Sequence, residues 1–252
     1  MLHWYGWWLS VKWASKNLGA KTAERPGILL AWGEMNTKRQ HFSDNYEYYN
    51  SYYSYQDIGS DISGTQYDAA YSQSGGKYRM PTRAEMKELI DRCTITNEIV
   101  NGVDGFRVKG PNGNSIFIPA SGYKDYHSGN QFTSEDSQDN RCGFYWSSEP
   151  YNSNTSTYAY SLIIGTDGTR SITKSSRWLG YAIRPVANKD AILGDMDGNG
   201  QLTVSDVSIL VDIILNTKDI PKQDILRGDM NGDGNLTVSD VSKLVDIILG
   251  NQ

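Results

Sequence analysis

The chain has 252 residues, enough for one large or two modest domains, and a formal charge of −5. With no basic cluster along its length, that balance excludes the electrostatic footprint of a nucleic-acid binder. No run reaches the ~18 apolar residues of a transmembrane helix, and Trp4–Leu9 is too short, and lacks the basic flank, to be a signal peptide.

In chain order, Ser10–Ala14 alternates apolar and polar residues and predicts a strand. Residues 43–63 are rich in Tyr, Ser, Asp and Asn without periodicity, which predicts a long surface loop. Tyr67–Ser72 predicts a short helix stopped by Gly75-Gly76. A longer helix starts after Pro81, with Thr82 as N-cap, Glu85 at the capping-box position and Met86, Leu89 and Ile90 as its buried face. Two hairpins follow. Phe106–Lys109 and Ser115–Ile118 flank a Gly-Pro-Asn-Gly-Asn turn, while Tyr158–Ile164 and Thr169–Thr173 flank Asp167-Gly168. Phe144–Ser148 and Tyr181–Val186 complete the strands, with Trp146 and Tyr181 as expected core members. One or two helices on irregular antiparallel strands make an α+β domain over residues 1–187. Its two cysteines, Cys93 and Cys142, are compatible with one disulfide in an oxidising compartment, and the sequence leaves the pairing open.

From residue 188 the composition changes. Residues 194–216 and 228–250 are identical at 18 of 23 positions, at an offset of 34. Each copy opens with D-x-[DN]-x-[DN]-G, an alternation of oxygen-bearing side chains that suits a hard divalent cation. The ligand positions are Asp195, Asp197, Asn199, Gln201, Thr203 and Asp206 in the first loop. In the second they are Asp229, Asn231, Asp233, Asn235, Thr237 and Asp240. One calcium ion per loop is expected, two in all. Gln201 and Asn235 would each donate a backbone carbonyl, and Gly200 and Gly234 would make the sharp turn. After each loop an amphipathic stripe follows, Val207-Leu210-Val211-Ile214-Leu215 and Val241-Leu244-Val245-Ile248-Leu249. Calcium loops of this kind make sense outside the cell, where calcium is millimolar, so an extracellular or cell-surface location is expected.

The paired loops, the Asp at position 12, the leading Gly-Asp and the single helix after each loop resemble a type I dockerin from residue 194 to about 250, within an expected second domain over residues 188–252. The resemblance implies a small all-α calcium-binding module and a partner, a cohesin or other surface protein. It also implies that loop positions 10 and 11, Val204-Ser205 and Val238-Ser239, take part in docking.

The first domain carries a second resemblance. Ser10-Val11-Lys12-Trp13-Ala14, Asn17-Leu18-Gly19-Ala20 and Ala31-Trp32-Gly33-Glu34, then Gly76-Lys77-Tyr78-Arg79-Met80-Pro81-Thr82 running to Glu85, Trp146-Ser147-Ser148 and Tyr181–Val186, are similar to the Fibrobacter succinogenes major paralogous (FISUMP) domain. Tyr78 stands where that family usually has Trp. The resemblance implies a C-type-lectin-like scaffold displaying a ligand face from its last third. Tyr151, Tyr158, Arg177 and Trp178 are the candidates there for stacking on a glycan or clasping a protein loop. Tyr, Ser, Asn and Gly enrichment fits such a surface, since Tyr offers contact area for few rotors.

Catalytic signals are missing. His3, His41 and His127 are isolated, and no nucleophile elbow, phosphate loop or zinc spacing occurs. The expectation is a secreted or surface noncatalytic binding protein. A carbohydrate-active enzyme carrying a dockerin, or a structural surface or fimbrial component, are the alternatives.

Overall fold

Capping fixes both helices described in the first part of the chain. In the computed structural model, which describes residues 9–125, 141–188, 193–196, 201–216, 225 and 227–250, α1 (Ala69–Ser74) starts on Asp68 and ends on Gly75 at φ 65°. The fully buried Asp68 carboxylate accepts from the backbone N–H groups of Ala70, Tyr71, Gly64 and Met80. One side chain thereby starts a helix and clamps two loops to it. Helix α2 (Arg83–Arg92) opens with the predicted capping box: Thr82 Oγ1 accepts from the Glu85 N–H, and Glu85 accepts from the Thr82 N–H.

The described chain forms two units, Met1–Ala187 and Asn188–Gln252. The first is α+β, with few helices and small antiparallel sheets. Strands β1 (Val11–Trp13) and β10 (Val186–Asn188) pair, and β2 (Tyr49–Ser51) and β3 (Ser54–Tyr55) make a hairpin. Strands β4 (Thr94–Val100), β5 (Val103–Lys109) and β6 (Ser115–Pro119) form one meander. Strands β7 (Cys142–Pro150), β8 (Tyr158–Gly165) and β9 (Arg170–Ser176) form the other.

The β7–β8–β9 sheet is covered on both faces. Phe144, Trp146 and Ala159 turn into one core with Leu30, Trp32, Ile62, Met80 and Tyr181. Tyr145, Leu162 and Ile164 turn into another with Met86 and Leu89 of α2 and Phe106 and Ile118 of the β4–β6 meander. Trp146 and Tyr181 lie in the core as expected, their rings stacked at 4.5 Å.

Three sequence expectations need correction. Residues 43–63 are no mere surface loop: they contain the β2–β3 hairpin and bury Tyr46, Tyr55, Ile58 and Ile62. Strand β4 was not expected, although Asn101 (φ 51°) and Gly102 (φ 77°) make the left-handed turn that joins it to β5. Tyr181–Val186 is only partly a strand: Tyr181 bridges to Leu30 and Ala182 to Tyr145, and regular pairing starts at Val186. Cys93 and Cys142 are not joined in a disulfide, and burial raises the Cys93 value.

In the second unit, α3 (Val204–Asn216) and α4 (Val238–Leu249) are the regular helices among the described residues. Leu210 and Leu244 are fully buried, packed with Met196, Met230 and Leu236. Of the predicted stripes, Val207, Leu210 and Ile214 and Val241, Leu244 and Ile248 join this core, together with the unpredicted Ile209 and Ile213, whereas the end residues Leu215 (73%) and Leu249 (67%) are exposed. At ~100° per residue each sits about 140° round its helix from the central Leu. No helix among the described residues is long and apolar enough to cross a membrane.

His41 is fully buried beneath Trp178, whose carbonyl lies 3.0 Å from Nδ1. Burial lowers its value to about 4, helped by Lys38 and Lys124, while the Trp178 carbonyl and Asp125 oppose the shift. Between that value and the unfolded value near 6.5, protons bind the unfolded chain in preference. Stability of the first unit should therefore fall as pH drops from about 6.5 to 4, by up to about 3 kcal/mol from this group. Thermal melts across that range check it. His41→Gln should flatten the slope, and an unchanged slope would remove His41 as its cause.

Candidate functional site

Two regions hold the sequence-predicted site residues. In the second unit each loop is closed by its position-12 aspartate. Asp206 is buried, with Oδ1 accepting from the Met196 N–H at 2.8 Å and Oδ2 from the Thr203 N–H (2.8 Å) and Oγ1 (3.1 Å). Asp240 Oδ2 likewise accepts from the Thr237 N–H (2.9 Å) and Oγ1 (3.2 Å), while its Oδ1 takes the Asn231 N–H (3.1 Å), one loop position further on than Met196 in the first copy. Both aspartates stand in the first turn of the following helix, so each ties its loop to that helix and complements the helix dipole.

The rest of the second loop turns around Asp229. Its carboxylate accepts from the N–H groups of Gly232 (2.7 Å), Asp233 (3.1 Å) and Gly234 (2.8 Å). Asp233 accepts from the Asn235 N–H and the Asn231 amide, and Asn231 Oδ1 from the Asp233 N–H, each at 2.8 Å. These bonds hold the Asp233 carboxyl below its ordinary range, the Asn235 N–H contributing most. Gly234 sits at φ 84°, where a side chain would be strained. The available donors are all oxygens: the carboxylates of Asp229, Asp233 and Asp240, the Asn231 amide, the Asn235 carbonyl and the Thr237 hydroxyl. A carboxylate oxygen that accepts one amide N–H keeps a lone pair for a cation, so this donor set fits a hard divalent ion. No group of three His, Cys, Asp or Glu side chains converges as a metal cluster among the described residues. In the first loop Asp195, Gln201, Thr203 and Asp206 are described, while Asp197 and Asn199 lie outside the described residues. The expected docking positions are exposed in both copies, Val204 at 72% and Val238 at 71%, each followed by an exposed serine, Ser205 and Ser239.

The four aromatic and cationic residues expected to form one ligand face divide into two pairs. Tyr151 and Tyr158 stay together: the Lys174 ammonium lies 5.6 Å from the first ring and 5.0 Å from the second. Tyr160, which the sequence did not mark, completes the group by packing edge-on to Tyr151 at 5.1 Å, and Arg83 covers the Tyr160 ring at 4.3 Å.

Arg177 and Trp178 belong elsewhere. Arg177 is a core residue: fully buried, it stacks on Trp32 at 4.3 Å and donates to the carbonyls of Asn154 (2.7 Å) and Gln56 (3.4 Å). Burial lowers its value, and Tyr46, the next influence, opposes that. Trp178 is half-buried against Ala31, Tyr46 and Tyr55. The corrected roles have one physical cause. A guanidinium can satisfy several backbone carbonyls at once, and the irregular segments around Gln56 and Asn154 supply them.

Arg177 therefore acts on the tyrosine face indirectly. It pins the 151–157 loop, which is also held by Tyr151 N–H to the Tyr158 carbonyl, Ser156 N–H to the Ser153 carbonyl and Asn154 Nδ2 to Asp57. Arg177→Ala should lower stability on the order of 3 kcal/mol by orphaning two carbonyls and opening a void on Trp32. It should also speed amide exchange across residues 151–157 more than in the β4–β5 hairpin. Unchanged protection of the loop would refute the pinning role. No protein-family model, curated protein or solved structure matches this chain.

Proposed function

We propose that the chain is a secreted or cell-surface noncatalytic binding protein, in which a C-type-lectin-like first unit of the FISUMP kind recognises a glycan or protein and a dockerin-like second unit docks to a partner in a calcium-dependent way. The observation that carries this reading is the duplicated closure of the two loops. Asp206 and Asp240, the same position in each copy, are buried and accept equivalent hydrogen bonds from Thr203 and Thr237. Selection for turns alone does not call for two acidic oxygen-rich loops in register, each with a carboxylate held at its end.

In this reading Asp195, Asp197, Asn199, Gln201, Thr203 and Asp206 hold one calcium ion, and Asp229, Asn231, Asp233, Asn235, Thr237 and Asp240 hold another. Calcium would supply charge neutralisation among carboxylates that otherwise repel. The chain's own residues do the remainder: Asp206 and Asp240 couple loop to helix, and Val204-Ser205 and Val238-Ser239 offer two equivalent exposed patches to a cohesin or other surface protein. Tyr151 and Tyr158 support the recognition role of the first unit, being held beside an accessible cation rather than packed in its cores.

Calorimetric titration of calcium into chelator-treated protein tests the proposal. Two ions should bind, and Asp229→Ala should leave one. Calcium at 100 times its dissociation constant should stabilise the second unit by roughly 2.7 kcal/mol per bound ion, visible as a shifted melting transition. Titration without heat or stabilisation would defeat the calcium reading. A glycan array and a panel of surface proteins that both stay blank would defeat the recognition role of the first unit.

A further inference from the structure

The tyrosine group lies where the cover of one sheet face runs out. Along β8, residues 160, 162 and 164 alternate onto the face packed by α2, and Leu162 and Ile164 are buried there with Met86 and Leu89. Across β9, Lys174 stands opposite Tyr160 and Ile172 opposite Leu162. Arg83, the first residue of α2, reaches the Tyr160 ring, so the helix ends its cover there. Beyond it Tyr158 is exposed at 37%, and Lys174 is exposed beside it.

Two features make this more than a scatter of surface tyrosines. Neither Lys174 nor Arg83 pairs with a carboxylate side chain among the described residues, although the chain as a whole carries five excess negative charges. The neighbouring Glu149 carboxylate is turned to the Arg83 backbone N–H at 2.6 Å, and not to either side-chain cation. The second feature is rigidity. The adjoining loop, with Asn152, Ser153 and Thr155 exposed, is tied at both ends and pinned from below by Arg177.

We propose that Tyr151, Tyr158, Tyr160, Lys174 and Arg83 form a binding face for an acidic polysaccharide, a chain of pyranose rings bearing carboxylates. This rests on the recognition role proposed for the first unit and names its ligand class. The C–H face of a pyranose stacks on a tyrosine ring, and a ring carboxylate answers an ammonium or a guanidinium held beside that ring. The exposed amide and hydroxyl groups of residues 152–155 suit sugar hydroxyls. Two cations in a chain of net negative charge are too few for a polyanion read by charge alone, whereas rings and cations together select an acidic sugar.

The test is gel retardation of the full chain by polyglucuronate, by the same polymer with its carboxyls reduced, and by polyglutamate. A chelator is present, so that calcium bridging contributes nothing. Polyglucuronate alone should retard the protein, and Lys174→Ala and Tyr158→Ala should each weaken it about tenfold, with melting temperatures unchanged. Equal retardation by the reduced polymer would overturn the proposal while leaving glycan recognition intact. Equal retardation by polyglutamate would also overturn it, showing a face that reads charge alone. Retardation that survives both substitutions would place binding elsewhere. If no polymer retards the chain the proposal fails, and the array and protein panel then decide separately whether the recognition role fails with it.

Discussion

Two indole N–H groups hold the first unit together. Trp32 Nε1 donates to the Ser147 carbonyl and Trp146 Nε1 to the Leu30 carbonyl, both at 2.8 Å and both fully buried. The exchange is reciprocal, so the irregular segment around Trp32 is fastened to β7 as firmly as a paired strand would be. Backbone bonds extend it: Leu30 pairs with Tyr181, and the Trp32 N–H donates to the Arg177 carbonyl. The Trp32 ring then carries the Arg177 guanidinium, and its carbonyl accepts from Tyr46 Oη. From Trp32 the chain of support runs through Arg177 to Asn154, and so to the loop beside the tyrosine face. A fold with much of its chain outside regular strands needs such anchors, because every buried amide and carbonyl there must still find a partner.

In the second unit the governing constraint is steric and is shared between the copies. A Cβ on Gly194 would lie 2.5 Å from Leu244 Cδ1, and one on Gly228 would lie 2.8 Å from Leu210 Cδ1. The glycine that opens each repeat thus makes room for the central leucine of the other repeat's helix. Gly194 also donates to the Arg227 carbonyl at 2.8 Å. A small core gains from this arrangement, since the two leucines can be fully buried only where backbone approaches closely. The duplication is then a requirement of packing as well as of the loops: each half completes the other.

What could be read in the sequence was what depends on near neighbours. Thr82 and Glu85 announce α2 because a capping box is three residues long, and Asp167-Gly168 announces the β8–β9 hairpin because a turn is local. Asn101-Gly102 was equally legible, and β4 could have been found from it. The register of the β8–β9 hairpin follows from its turn, so Tyr160 opposite Lys174 was within reach of the sequence too. Arg177 was not. Its role depends on carbonyls 23 and 121 residues away, and a buried arginine and a ligand-facing one look alike along the chain. The burial of residues 43–63 was hidden for a related reason. Tyr46, Tyr55, Ile58 and Ile62 are spaced for neither helix nor strand, because loops pack by whichever side chains happen to reach the core.

The burial of Arg177 looks wasteful until the alternatives are compared. Desolvating a guanidinium is costly, and its Nε finds no hydrogen-bond partner among the described residues. A leucine or methionine in its place would avoid that cost and could pack on Trp32. It would also leave the Gln56 and Asn154 carbonyls without their donor and free the loop that flanks Tyr151 and Tyr158. Rigidity in that loop matters most if the face binds something, since ordering a loop on binding subtracts from affinity whereas ordering it on folding does not. An expensive buried cation is therefore easier to understand as the support of a binding surface than as a contribution to stability alone.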